Sequence, residues 1–169
     1  SDEQYGVVFA ALAASAAPEN YLDSEPARKG LAGIRKYLSA HPPRSLHQKG
    51  MLLWAGSQID GFITAEFKAE AIKEIAASQR PDGGWSLASL TENQADPDRQ
   101  TEEGRQARAA EGHGRDFLVY VGREKTYKSS LASDGYATGF SLLVLRKAGV
   151  PADDPGVRRG VTWLKEHQR

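Results

Sequence analysis

The chain has 169 residues, and its 22 Lys and Arg are matched by 22 Asp and Glu, with no cysteine. A formal charge of zero removes any global electrostatic attraction to nucleic acid or anionic lipid, so neither is an expected partner. Without thiols, disulfides and thiolate metal sites are excluded, and no apolar run approaches the ~20 residues that a membrane span requires.

A hydrophobic content of 40% suits one globular domain over 1–169, expected to be soluble, with cytosol and periplasm fitting equally well. Positions 1–17 are small and apolar but open with Asp2 and Glu3, which is unlike a signal peptide; a signal removed upstream of Ser1 stays open. Three stretches look alike, at 1–41, 45–90 and 133–169. Each reads as an apolar leading helix, a turn, and a second helix with its charges on one face. The expected fold class is therefore all-α, built from about three helical hairpins.

In the first copy, Tyr5 and Phe9 are the large side chains of the leading helix. The second helix starts at Asp23-Ser24-Glu25-Pro26, a capping residue followed by a Pro in the first turn, where its missing N–H costs nothing. Leu31, Ile34 and Leu38 then recur at helical spacing. The second copy carries Met51 and Trp54 on its leading helix and Ala71, Ile72 and Ile75 on the second, before Gln79-Arg80-Pro81-Asp82-Gly83-Gly84-Trp85. There Pro ends the helix, Asp-Gly-Gly permits a tight turn, and Trp is delivered to a defined place.

An insertion follows at 91–132. Its part up to Gly114 is polar, with a loop at 94–100 and a short exposed helix expected within 102–111. From Asp116 to Val121, and again from Thr126 to Lys128, β-branched and aromatic residues suggest a small β-hairpin. Long loops often serve as lids, and a surface excursion without a role is the equal alternative. The third copy opens at Asp134 and carries Tyr136 and Phe140. Its second helix begins Asp153-Asp154-Pro155-Gly156-Val157-Arg158-Arg159-Gly160, repeating the start seen in the first copy.

If the leading helices share one hollow, Tyr5, Phe9, Met51, Trp54, Tyr136 and Phe140 would line it. A wall of aromatic faces suits a polyene or a carbocation. The same residues would equally fill a packed helical core, the commoner reading for any one of them. Asp134 is the candidate acid, and N-capping explains it first. His41, His47, His113 and His167 lie at no metal-binding spacing and read as exposed polar residues, so no metal or other cofactor is expected.

Gln79 through Trp85 and Arg159 through Gln168 carry, in two pieces, the pattern basic-Gly-x-x-aromatic-aliphatic-x-x-x-Gln, a short gap, then Gly-x-Trp. This resembles the QW repeat of the squalene-hopene and oxidosqualene cyclases, over the three hairpins and not over 91–132. The resemblance implies an α/α toroid, shared with the protein prenyltransferases. In such a ring the repeat Gln (Gln79, Gln168) ties to a helix end and the Trp (Trp85, behind Gly83) stacks between hairpins. A complete ring has about six hairpins, so three imply a partial ring, completed by a further part of the chain or by self-association. Its uncovered ends would be Gly6, Val7, Val8, Phe9 and Leu12 on one side and Val161, Trp163 and Leu164 on the other.

The related cyclases carry Asp-x-Asp-Asp-Thr-Ala, whose middle Asp protonates the substrate. Asp134-Gly135-Tyr136-Ala137-Thr138-Gly139 keeps Asp134 and Thr138 and has Tyr136 in the middle place, and a phenol is too weak an acid for that step. The prenyltransferase zinc ligand Cys is also missing. The resemblance thus implies a domain that binds or cyclises a squalene-type isoprenoid, with a degenerate acid motif. The alternative is a non-catalytic helical repeat that binds a protein, peptide or glycan on its concave face.

Overall fold

A computed structural model describes residues 2–91 and 132–167. The expected exposed helix at 102–111, the β-hairpin at 116–128, His113 and Gln168 lie outside the described residues. Within them the protein is all-helical: α1 (Asp2–Ala16), a 3-10 turn (Tyr21–Asp23), α2 (Glu25–Ala40), α3 (Leu46–Gly56), α4 (Ala65–Ala77), α5 (Leu87–Thr91), α6 (Gly135–Lys147) and α7 (Pro155–Glu166). No helix among the described residues is long and apolar enough to cross a membrane.

Local chemistry accounts for the helix starts. Ser24, Ser45, Thr64, Asp134 and Asp154 each occupy an N-cap and accept a backbone N–H from the first turn, which satisfies a donor that would otherwise lack an intrahelical partner. Pro26 and Pro155 sit in the first turn of α2 and α7, where the ring fits without loss of a hydrogen bond. The repeated starts seen in the sequence thus resolve to Ser24 and Asp154 as the caps.

The leading helices α1, α3 and α6 form one row, with α3 in contact with both others. The second helices pack behind it: α2 on α1, α4 on α3 and α6, and α7 on α6. Each hairpin is antiparallel. Tyr37 near the end of α2 donates to Glu3 at the start of α1, and Lys49 in the first turn of α3 pairs with Glu74 late in α4 at 2.5 Å. The central α3 is buried on nearly every side, from Leu46 to Ala55. Its approach to α6 needs a residue without a side chain: a Cβ on Gly50 would lie 2.7 Å from the Phe140 ring.

The core runs through both layers, with Val8, Leu53, Ile75, Trp85, Leu90 and Val144 fully enclosed. Burying a side chain of this size stabilises the fold by about 1.5–3 kcal/mol. The two expected uncovered ends need correction. Val8 belongs to the core and Val7 and Leu12 pack against it, because α2 and α3 both cover α1. Only Gly6 and Phe9 of that set stay exposed. At the other end Trp163 is buried, since the Gly84 turn packs on its indole. Leu164 packs on the core, whereas Val161 stays exposed as expected.

Candidate functional site

The site forms where the first turns of the three leading helices meet. Tyr5 is in the first turn of α1, His47 is the second residue of α3, and Tyr136 is the second residue of α6. The imidazole bridges the two phenols: Nδ1 lies 3.1 Å from the Tyr5 hydroxyl and Nε2 lies 2.8 Å from the Tyr136 hydroxyl. Below it, the Phe140 ring stacks on His47 at 4.3 Å between centroids and 17° between planes. Tyr136 stacks nearly parallel to Phe140 in turn.

The expectation that His47 is an exposed polar residue is overturned, because only 9% of it is accessible. The middle helix of the row is covered on both flanks, so a side chain at its start is enclosed whatever its polarity. A buried imidazole needs partners for both nitrogens, and the two phenols supply them. Burial pushes the His47 pKa below its ordinary value, because desolvation penalises the charged form. A neutral ring donates through one nitrogen and accepts through the other, so one tyrosine donates to it while the other accepts. The signal that could have exposed His47 in the sequence is helical register. Residues 47, 51 and 54 share one face of α3 just as 5 and 9 do on α1 and 136 and 140 do on α6.

Of the expected ligand-contacting residues, Tyr5, Tyr136 and Phe140 come together around His47. Tyr136 is 59% exposed and Phe140 is buried. Phe9 lies one turn beyond Tyr5 and is 55% exposed. Trp54 and Met51 pack on the core from α3, Met51 fully buried. Phe9 and Trp54 make no ring contact with the cluster among the described residues.

Asp134 has a different occupation. Its Oδ1 accepts from the Ala137 N–H at 2.8 Å and its Oδ2 from the Leu87 N–H at 2.6 Å, so both carboxylate oxygens join the start of α6 to the turn after α4. Thr138, the other residue in register with the cyclase motif, accepts from the Trp85 N–H at 3.0 Å. Asp134 N in turn donates to the Trp85 carbonyl. Both motif positions therefore hold the Trp85 turn.

The two-part repeat pattern forms one clamp. Gln79 Nε2 donates to the carbonyls of Gly83 and Gly156, both at 2.8 Å, and its Oε1 accepts from Arg159 at 2.6 Å. Gly83 adopts φ +91°, which glycine tolerates without strain. Trp85 is 1% exposed and its indole N–H donates to the Ile75 carbonyl at 2.8 Å. A Cβ on Gly160 would lie 2.8 Å from the Trp85 ring, so the Gly of the basic-Gly pair in α7 admits the Trp of the turn. Beside it, Asp82 accepts from Ser133 and from the Gly84 N–H. Burial alone would raise its pKa, but these hydrogen bonds and the Arg80 charge outweigh it and hold the carboxyl below its ordinary value.

No family model, curated protein or solved structure matches the chain. No group of three or more His, Asp or Glu that could hold a metal ion occurs among the described residues.

Proposed function

We propose that this chain is an isoprenoid-handling helical-hairpin domain of the squalene-cyclase and prenyltransferase kind, binding its ligand along the row of leading helices. The observation that carries the reading is the meeting of Tyr5, His47, Tyr136 and Phe140 at one end of that row. Phe9 on α1 and Tyr136 on α6 stand exposed, and the central helix α3 between them is buried. Exposed aromatic faces suit contact with a flexible, unsaturated apolar chain. The Gln79–Trp85 clamp supports the same reading, since it joins neighbouring hairpins as the repeat in those enzymes is expected to do.

The domain binds without protonating its ligand through Asp134, whose carboxylate is held by two backbone N–H groups. That observation also favours the second reading, a non-catalytic helical repeat whose concave face takes a peptide, glycan or protein. Thermal unfolding in the presence of squalene, farnesol and farnesyl diphosphate separates the two. Stabilisation by at least one isoprenoid is expected, because a ligand that binds only the folded state raises its stability. No shift with any of the three would remove the isoprenoid reading and leave the interaction module.

A further inference from the structure

The Tyr5–His47–Tyr136 chain has hydrogen-bonding capacity that a purely apolar ligand would not use. We propose that it is the polar anchor of the site, selecting an isoprenoid that ends in an uncharged oxygen, a hydroxyl or a carbonyl, over a diphosphate or a bare hydrocarbon. This rests on the isoprenoid reading above and names the ligand class of that same site.

The argument starts from the imidazole. When its proton is on Nε2, the ring donates to Tyr136 and accepts from Tyr5, and the Tyr136 O–H is left to donate to a ligand oxygen. When the proton is on Nδ1, the ring donates to Tyr5 and accepts from Tyr136, and the Tyr136 lone pairs accept from a ligand hydroxyl. A shift of tautomer, with both phenols rotating their protons, therefore converts the anchor from donor to acceptor while the buried ring stays satisfied. Tyr136 is the member of the three that a ligand can reach, being 59% exposed.

Among the described residues, charge disfavours the diphosphate. Helix α1 carries no cation. Lys49, the only cation of α3, pairs with Glu74. Arg146 and Lys147 occupy the last turn of α6, far from Tyr136 in its first. Arg44 is exposed and precedes α3. Asp134 places a carboxylate at the cap of α6, two residues before Tyr136. A diphosphate ordinarily needs Arg, Lys or a metal clamp, and the anchor itself offers two phenols and a neutral ring.

Binding of farnesol, farnesyl diphosphate and squalene to the full chain, followed by tryptophan fluorescence and calorimetry, tests the assignment. Farnesol is expected to bind at least about tenfold more tightly than either of the others, a difference of ~1.4 kcal/mol. Tyr136→Phe keeps the ring and removes the hydroxyl, and should bring farnesol to the level of squalene. It also takes a partner from the buried His47 Nε2, so a modest fall in melting temperature is expected, and binding is compared at a temperature where both proteins are folded. Tyr5→Phe should weaken farnesol as well, through the imidazole. Equal binding of farnesol and squalene that Tyr136→Phe leaves unchanged would overturn the anchor while sparing the isoprenoid reading. Tightest binding by the diphosphate would overturn it too, and loss of that binding in Arg44→Ala would place the head group elsewhere. If no isoprenoid binds, the parent reading fails and the anchor with it.

Discussion

His47 sits at the second position of α3 with both ring nitrogens engaged by phenols and no acid in the bridge. Among the described residues, the side chains in ring or hydrogen-bond contact with it are neutral. From α1 comes Tyr5, and from α6 come Tyr136 and Phe140. The nearest ion pair, Lys49 with Glu74, joins α3 to α4, and the sequence of α5 has no titratable side chain. Protonation would make both nitrogens donors and bring an uncompensated charge to a helix N-terminus, where the dipole opposes it. The folded pKa is depressed below the ordinary 6.5, so the unfolded chain binds the extra proton first. Stability should therefore be full above pH 6.5, fall as pH drops through that value, and level off below the folded pKa. Urea unfolding at a series of pH values in wild type and His47→Gln checks this, and a decline of equal size in the variant would exclude His47 as its source. Asp82 has the opposite identity and a separate window. Its depressed pKa contributes stability that is present above 3.8 and lost at more acid pH.

At the scale of the element, one repeat position has two meanings. Gly30 in α2 and Gly160 in α7 stand at equivalent places in their copies, six residues after Ser24 and Asp154. A Cβ on Gly30 would meet nothing within 4 Å, whereas one on Gly160 would press on Trp85 and Leu142. Gly30→Ala should stabilise the fold by about 0.5–1 kcal/mol, since alanine is the better helix former. Gly160→Ala should destabilise it by about 1–3 kcal/mol through overpacking. Denaturant midpoints of the two variants check the pair, and changes of the same sign would refute the packing account. The helix starts were legible in the sequence because Ser24, Pro26, Asp154 and Pro155 act on their own neighbours. Which glycine is pressed by a ring was not, since Trp85 reaches Gly160 across 75 positions of sequence.

For the whole molecule, the second and third hairpins are held by one turn. Gln79 bonds to Gly156 and Arg159 of α7, and Trp85 bonds to Thr138 and Asp134 at the start of α6, so two sets of hydrogen bonds tie the turn after α4 to both helices. Trp85→Ala should cost about 3–5 kcal/mol, with unfolding monitored by far-ultraviolet circular dichroism. A loss below about 1 kcal/mol would show that the surrounding helices collapse into the space and that the turn is no clamp. The first hairpin lacks this turn and is joined to the rest by the α1–α3 contact, the phenol–imidazole bridge and a hydrogen bond from Arg35 of α2 to the Asp60 carbonyl.

Sequence alone pointed to the six longer helices, their order and their pairing into three hairpins, though not to the short α5, because caps, breakers and apolar spacing act within a few residues of one another. It also marked Tyr5, Tyr136 and Phe140 as members of one face, since register along a helix is periodic. The sequence already pointed to Asp134 as a cap, but only the tertiary structure decided that His47 is enclosed and joins two phenols, and that Asp134 also ties α6 to the Trp85 turn. Those roles depend on which side chains converge after the three leading helices pack. Burial is a property of that packing and cannot be read from any one stretch of the chain.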